Sequence, residues 1–132
     1  MLLDVDAWDD RGRTVVELTG ELDLFTAPVL REELQRVSDA GSHRVVVVMG
    51  GVSFMDSSGL GVLIGAVKRA VAGGGGLCLA GARDRMVRML NITGLIRVMP
   101  AFPGLEEAFA WLDALPESRI ATAARRSAAP GA

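Results

Sequence analysis

The sequence predicts an α/β domain: a sheet of about five strands, parallel at its centre, with an antiparallel N-terminal strand at the edge and about four helices. Three observations carry this. Strand-like and helix-like segments alternate from Thr14 to Leu115, the order of a parallel sheet whose crossovers are helices. The run Arg44–Val48 contains four consecutive valines, as strands covered on both faces do. Ahead of these, Leu3, Val5 and Ala7 alternate with Asp4 and Asp6, the period of a half-buried strand.

Asp9-Asp10-Arg11-Gly12 reads as a turn, so the first strand pairs with a second over Thr14–Thr19 as a hairpin. Gly20–Phe25 is expected as a loop. Thr26 is a candidate N-cap, with Pro28 in the first turn of a helix. Leu30, Leu34 and Val37 face inward there, Arg31, Glu32 and Glu33 face water, and Gly41 ends it. After the valine strand, Gly50–Asp56 is expected as a loop.

The next helix is predicted from about Ser58 to Ala72, with a core stripe of Leu60, Leu63, Ile64, Val67 and Val71. Gly59, Gly61 and Gly65 each cost roughly 1 kcal/mol in a helix relative to alanine, which suggests close packing against the sheet or a partner. Gly73–Gly76 closes the helix. A short strand follows over Leu77–Ala80, then a helix over Asp84–Asn91 with Met86, Val87 and Leu90 inward. A last strand is expected over Ile96–Met99. A final helix over Gly104–Leu115 uses Leu105, Ala108, Phe109 and Leu112. Residues 1–115 form one domain in this reading, and 116–132 form a disordered Ala/Arg-rich tail.

Half of the 132 residues are apolar and 23% are charged, enough to bury a core. A net charge of −2 argues against general nucleic-acid binding. No apolar run reaches the roughly 18 residues of a membrane span. The acidic start, Met1–Asp10, lacks the basic opening of a signal peptide, so the cytoplasm is the expected compartment. The single cysteine, Cys78, leaves no internal disulfide or multi-cysteine metal site. Its strand context suggests a buried, inert thiol.

The most informative stretch is Phe54-Met55-Asp56-Ser57-Ser58-Gly59-Leu60-Gly61. It sets two serines behind a carboxylate at a helix start, where unpaired backbone N–H groups favour an anion. Ordinary helix capping is the bland alternative. In a parallel sheet the loops Gly20–Phe25 and Gly50–Asp56 share the carboxyl edge, where α/β proteins commonly bind ligands. Leu24 and Phe25 either pack beneath their loop or contact a partner.

Catalysis fits poorly. Met55-Asp56-Ser57-Ser58-Gly59 lacks the first glycine of a Gly-x-Ser-x-Gly elbow. The one histidine, His43, precedes the valine strand, which separates it from Ser57 by roughly 16 Å or more at about 3.3 Å per residue. Gly73–Gly76 lacks the Lys-Ser/Thr of a phosphate-binding loop, and metal ligands are wanting. No enzymatic activity, cofactor or metal is expected.

Gly20-Glu21-Leu22-Asp23, followed by Ser53-Phe54-Met55-Asp56-Ser57-Ser58-Gly59-Leu60-Gly61-Val62, resembles the bacterial anti-sigma-factor antagonists. These are single-domain forms of the sulphate-transporter-and-anti-sigma-antagonist (STAS) fold. The resemblance covers about residues 3–115. It implies a partner-switching protein that binds an anti-sigma factor, itself a serine kinase, and so frees a sigma factor to regulate transcription. The kinase would phosphorylate Ser57, the serine directly after the motif aspartate, and a serine phosphatase would reverse this. Asp23 and Asp56 match acidic positions near the site, and Ser58 matches the neighbouring hydroxyl. With Leu24, Phe25, Ser57 and Gly59 they form the implied partner-binding set. Leu24-Phe25 is more apolar than the family pattern, and the tail has no counterpart in it. The alternative is a non-signalling STAS module, such as a lipid-transport accessory subunit or a scaffold. Neither direct nucleic-acid contact nor a membrane partner is implied.

Overall fold

The computed structural model describes residues 2–116; the expected tail lies, from residue 117 onward, outside the described residues. Strands β1 (Leu3–Asp10) and β2 (Arg13–Leu22) form the antiparallel hairpin, with Asp10 opposite Arg13. The two connecting residues, Arg11 and Gly12, both have positive φ, 54° and 86°. That geometry follows the twist of the strands and favours glycine. Helix α1 (Ala27–Asp39), strand β3 (Arg44–Met55), helix α2 (Ser57–Ala72) and strand β4 (Gly76–Ala80) follow. Helix α3 (Asp84–Thr93), a 3-10 turn (Leu95–Arg97), strand β5 (Ala101–Phe102) and helix α4 (Leu105–Ala114) complete the order. The sheet runs β1-β2-β3-β4-β5, antiparallel only between β1 and β2.

The valine run works as expected. Val45 and Val47 join a core with α1, α2 and α3 on one face, while Val46 packs with Cys78, Ala108 and Leu112 beneath α4 on the other. Arg44 ties the end of α4 to the sheet, its guanidinium donating to the carbonyls of Leu112 and Leu115. This satisfies carbonyls that a helix end leaves open.

Four expectations are corrected. The segments Gly20–Leu22 and Gly50–Met55 are not loops: they pair with each other, Glu21 opposite Phe54 and Leu22 opposite Met55, beyond register shifts at Glu17/Thr19 and Gly20/Glu21. Gly20 and Gly51 serve close backbone approach rather than turns. A Cβ on Gly51 would sit 2.8 Å from the Leu18 carbonyl oxygen.

Thr26 stands at the N-cap position of α1 as expected, with Pro28 in the first turn, but it caps without its side chain: its backbone is helical and its hydroxyl donates to the Glu21 carbonyl. The inner face of α2 is Gly59, Val62, Leu63, Ala66, Val67 and Ala70. Leu60 and Ile64 are only half-buried and Val71 is exposed. Small residues let α2 lie close to its neighbours, so the stripe sits one position earlier than the large side chains indicate. Finally, Ile96–Met99 is no strand. The backbone N–H of Met99 donates to the Leu95 carbonyl at 2.9 Å, and Leu95, Ile96 and Met99 pack on the helical-side core with helical spacing. The edge strand comes later, at Ala101–Phe102, opposite Leu79–Ala80.

Candidate functional site

Strands β2 and β3 end together. The Asp56 N–H donates to the Leu22 carbonyl at 3.1 Å, so Asp23 and the start of α2 leave the sheet side by side. The shared edge expected for the two segments is therefore present, though each arrives at it as strand.

Asp56 is the N-cap of α2. Its backbone is extended, and its carboxylate accepts the Ser58 N–H at 2.8 Å, satisfying one donor of the first turn. Ser57 is the first helical residue, one earlier than expected, and is exposed; Ser58 is half-buried. Gly59 is buried against the sheet, where an added Cβ would meet Leu22 Cγ at 2.4 Å. Gly61 faces open space: a Cβ added there would have nothing within 4 Å. Of the three helix glycines, Gly59 alone is demanded by contact with the sheet.

Asp23 organises the opposite loop. Its Oδ1 accepts the N–H groups of Phe25 and Thr26 at 2.9 and 3.0 Å, an Asx-type turn. The hydrogen bond from the Thr26 N–H is the largest influence on its carboxyl; desolvation opposes it, and the Phe25 N–H and Thr26 hydroxyl add to it, so the carboxyl is held below the ordinary value of 3.8. The buried Thr26 hydroxyl also accepts the Asp23 N–H at 2.9 Å. A loop pinned at both ends presents Leu24 and Phe25 outward, 67% and 86% exposed. They do not pack beneath it.

His43 lies beside Gly73, past the far end of α2. Sixteen residues of helix at about 1.5 Å each separate the two ends by about 24 Å, so no Ser57–His43 pair forms. Among the described residues no helix is long and apolar enough to cross a membrane.

The STAS domain family model matches residues 5–108. The chain belongs to the STAS domain family. Among its STAS relatives is the anti-sigma-B factor antagonist of Bacillus subtilis (strain 168), 38% identical over 95 residues, covering 72% of this chain and 86% of that one. The STAS fold here also superposes on the phosphorylated form of the Bacillus cell fate determinant SpoIIAA. The TM-score is 0.66 at 26% identity, with 81% and 97% of the two chains covered. An anti-sigma factor antagonist from Mycobacterium paratuberculosis shares the fold at TM-score 0.73 and 24% identity, over 84% and 94% of the chains.

Sequence reading missed two features of this STAS edge. Val29, in the first turn of α1, is 48% exposed, and Phe54, at the end of β3, is 53% exposed. With Leu24 and Phe25 they are exposed apolar side chains on β3, on the segment after β2 and on the first turn of α1. The signal was available in Phe54, the aromatic residue that opens the motif stretch, but a loop assignment hid which way it pointed.

Proposed function

We propose that this STAS protein is an anti-sigma factor antagonist, and that a reversible phosphate on Ser57 decides whether its carboxyl edge can dock. The observation that carries the reading is an exposed serine at the first position of α2, directly after a capping aspartate, within the family motif. The likeness to a neighbour solved in a phosphorylated form supports it. Partner binding is assigned to Asp23, Leu24, Phe25, Asp56, Ser57, Ser58 and Gly59. Ser57, Leu24 and Phe25 offer the accessible contacts; Asp23 and Gly59 shape the surface that presents them.

Phosphorylation adds about −1.5 to −2 charges. The helix dipole favours an anion at this end by roughly 0.3–1 kcal/mol, and the neighbouring Asp56 carboxylate opposes it. These effects are small and opposed, so the free domain keeps its fold. At a docked surface the same group must shed water beside the partner. An unpaired buried charge costs several kcal/mol, and 1.4 kcal/mol is already tenfold in affinity. Local blockade therefore suffices without a change of fold. The kinase is the anti-sigma factor itself, a serine phosphatase resets the switch, and both act in the cytoplasm.

Calorimetric titration with the candidate anti-sigma kinase tests this. Ser57→Ala should bind like the unmodified chain, and Ser57→Asp at least tenfold more weakly. Equal affinities would refute the switch. Mass spectrometry after incubation with kinase and ATP should place the phosphate on Ser57; phosphate on Ser58, or none, would overturn the assignment.

A further inference from the structure

Strand β3 has 12 residues and β4 only 5. Their pairing ends at Val48 opposite Ala80, so the last part of β3 has no strand beside it on that side. Helix α3 lies across the notch and leaves a half-open groove of about 250 Å³. Met49, Met55, Met86 and Met89 line it, with Arg83 and Arg85. Methionine side chains are flexible and polarisable, and adapt to apolar guests of varied shape.

The charge around the groove is lopsided. Residues 81–99 hold four arginines (Arg83, Arg85, Arg88 and Arg97) against one acid, Asp84, in a chain whose net charge is −2. None of the four makes an ion pair with a described residue. Two guanidinium groups without counter-ions beside a thioether-lined cleft complement a ligand with an apolar chain and an anionic head.

We propose that this groove binds a small amphiphilic anion, a carboxylate or phosphate head on an unbranched chain of about eight carbons. At roughly 30 Å³ for each water-sized group the groove takes about eight groups, the carbon of a carboxylate head counted among them. The chain lies along the four methionines and the head meets Arg83 and Arg85. Met55 also borders Gly59 in the first turn of α2: its Cγ is 3.1 Å from where a Cβ on Gly59 would stand. Occupancy is therefore felt next to Ser57. The proposal does not depend on phosphorylation or on the identity of the protein partner.

The test is a titration of the full chain, methyl-labelled at methionine, with octanoate, octyl phosphate, octanol and inorganic phosphate, followed by NMR. Saturable shifts are expected at Met49, Met55, Met86 and Met89, while Met99, buried and outside the groove, stays still. Octanoate and octyl phosphate compared with each other identify the preferred head. Octanol should bind about tenfold more weakly, and inorganic phosphate should leave the methyl signals unmoved. Arg83→Gln with Arg85→Gln, both exposed positions, should weaken the anions about tenfold and leave octanol unchanged. No saturable shift, shifts that include Met99, or equal affinity of octanoate and octanol in both backgrounds would overturn the proposal.

Discussion

Gly59 and Gly61 stand two residues apart in α2, and the same alanine substitution should act with opposite sign at each. At Gly61 the new methyl meets nothing within 4 Å, so only helix propensity changes, a gain of up to about 1 kcal/mol. At Gly59 the methyl would lie 2.4 Å from Leu22 Cγ, 2.7 Å from Leu22 Cδ2 and 3.1 Å from Met55 Cγ. Leu22 is fully buried, so it can yield only by displacing its core neighbours. Overpacking of this kind costs about 1–3 kcal/mol; three short contacts place it near the top of that range, leaving a net loss of about 2 kcal/mol after the propensity gain. The two variants should then differ by about 3 kcal/mol. With a urea slope of roughly 1.5 kcal/mol/M, that is a spread of about 2 M in midpoint, read by circular dichroism. Leu22→Ala, itself destabilising, should cost less in the Gly59→Ala background than in the unmodified chain and the same in the Gly61→Ala background, because only the first pair is in contact. If both glycine variants shift the midpoint the same way, packing against β2 is not why position 59 carries glycine.

Asp56→Ala removes the cap of α2 and should cost about 1 kcal/mol, while Asp56→Asn keeps most of it, measured by thermal unfolding. Phe25→Ala should leave the unfolding midpoint unchanged, since the ring is exposed, yet weaken anti-sigma binding by more than about 1 kcal/mol; unchanged affinity would remove Phe25 from the docking surface. The Cys78 thiol, pushed up to about 12 by burial, should resist iodoacetamide at pH 8 in the native protein. Its thiolate is scarce at any pH below that value, so modification should appear only in denaturant.

Element order was legible because each strand and helix carries its own period. The hairpin, the twice-covered valine strand and the alternation that puts two loops on one edge all follow from patterns a few residues long. What escaped were features set by partners distant in sequence. Gly20, Gly50 and Gly51 read as loop markers, yet β2 and β3 continue through them because each supplies the other's hydrogen bonds. Ile96–Met99 suits a strand by composition, and only the common contact of Ile96 and Met99, with Leu95, on the helical-side core makes it a turn. Around the motif, Asp56 and Ser57 could be placed at a helix start from local chemistry. Asp23 reads as an acid near the site, whereas its Oδ1 is engaged with its own loop, and that contact is what turns Phe25 outward. The arginines of α3 gave no motif at all; they matter only because β4 stops short.

The sheet also resists the simplest form of self-association. Strand β1 is a free margin, and it carries Asp4, Asp6, Asp9 and Asp10. A second copy laid against it would bring eight carboxylates, four from each copy, into one seam, a common defence of exposed strands. The other margin, β5, is two residues long and is followed at once by Pro103, which has no N–H to offer a ladder. For the docking proposed at the Ser57 edge this is an advantage, because neither flank of the sheet competes for the encounter. Neutralising the β1 aspartates, by acid or by mutation to asparagine, would reopen that flank without touching the Ser57 edge.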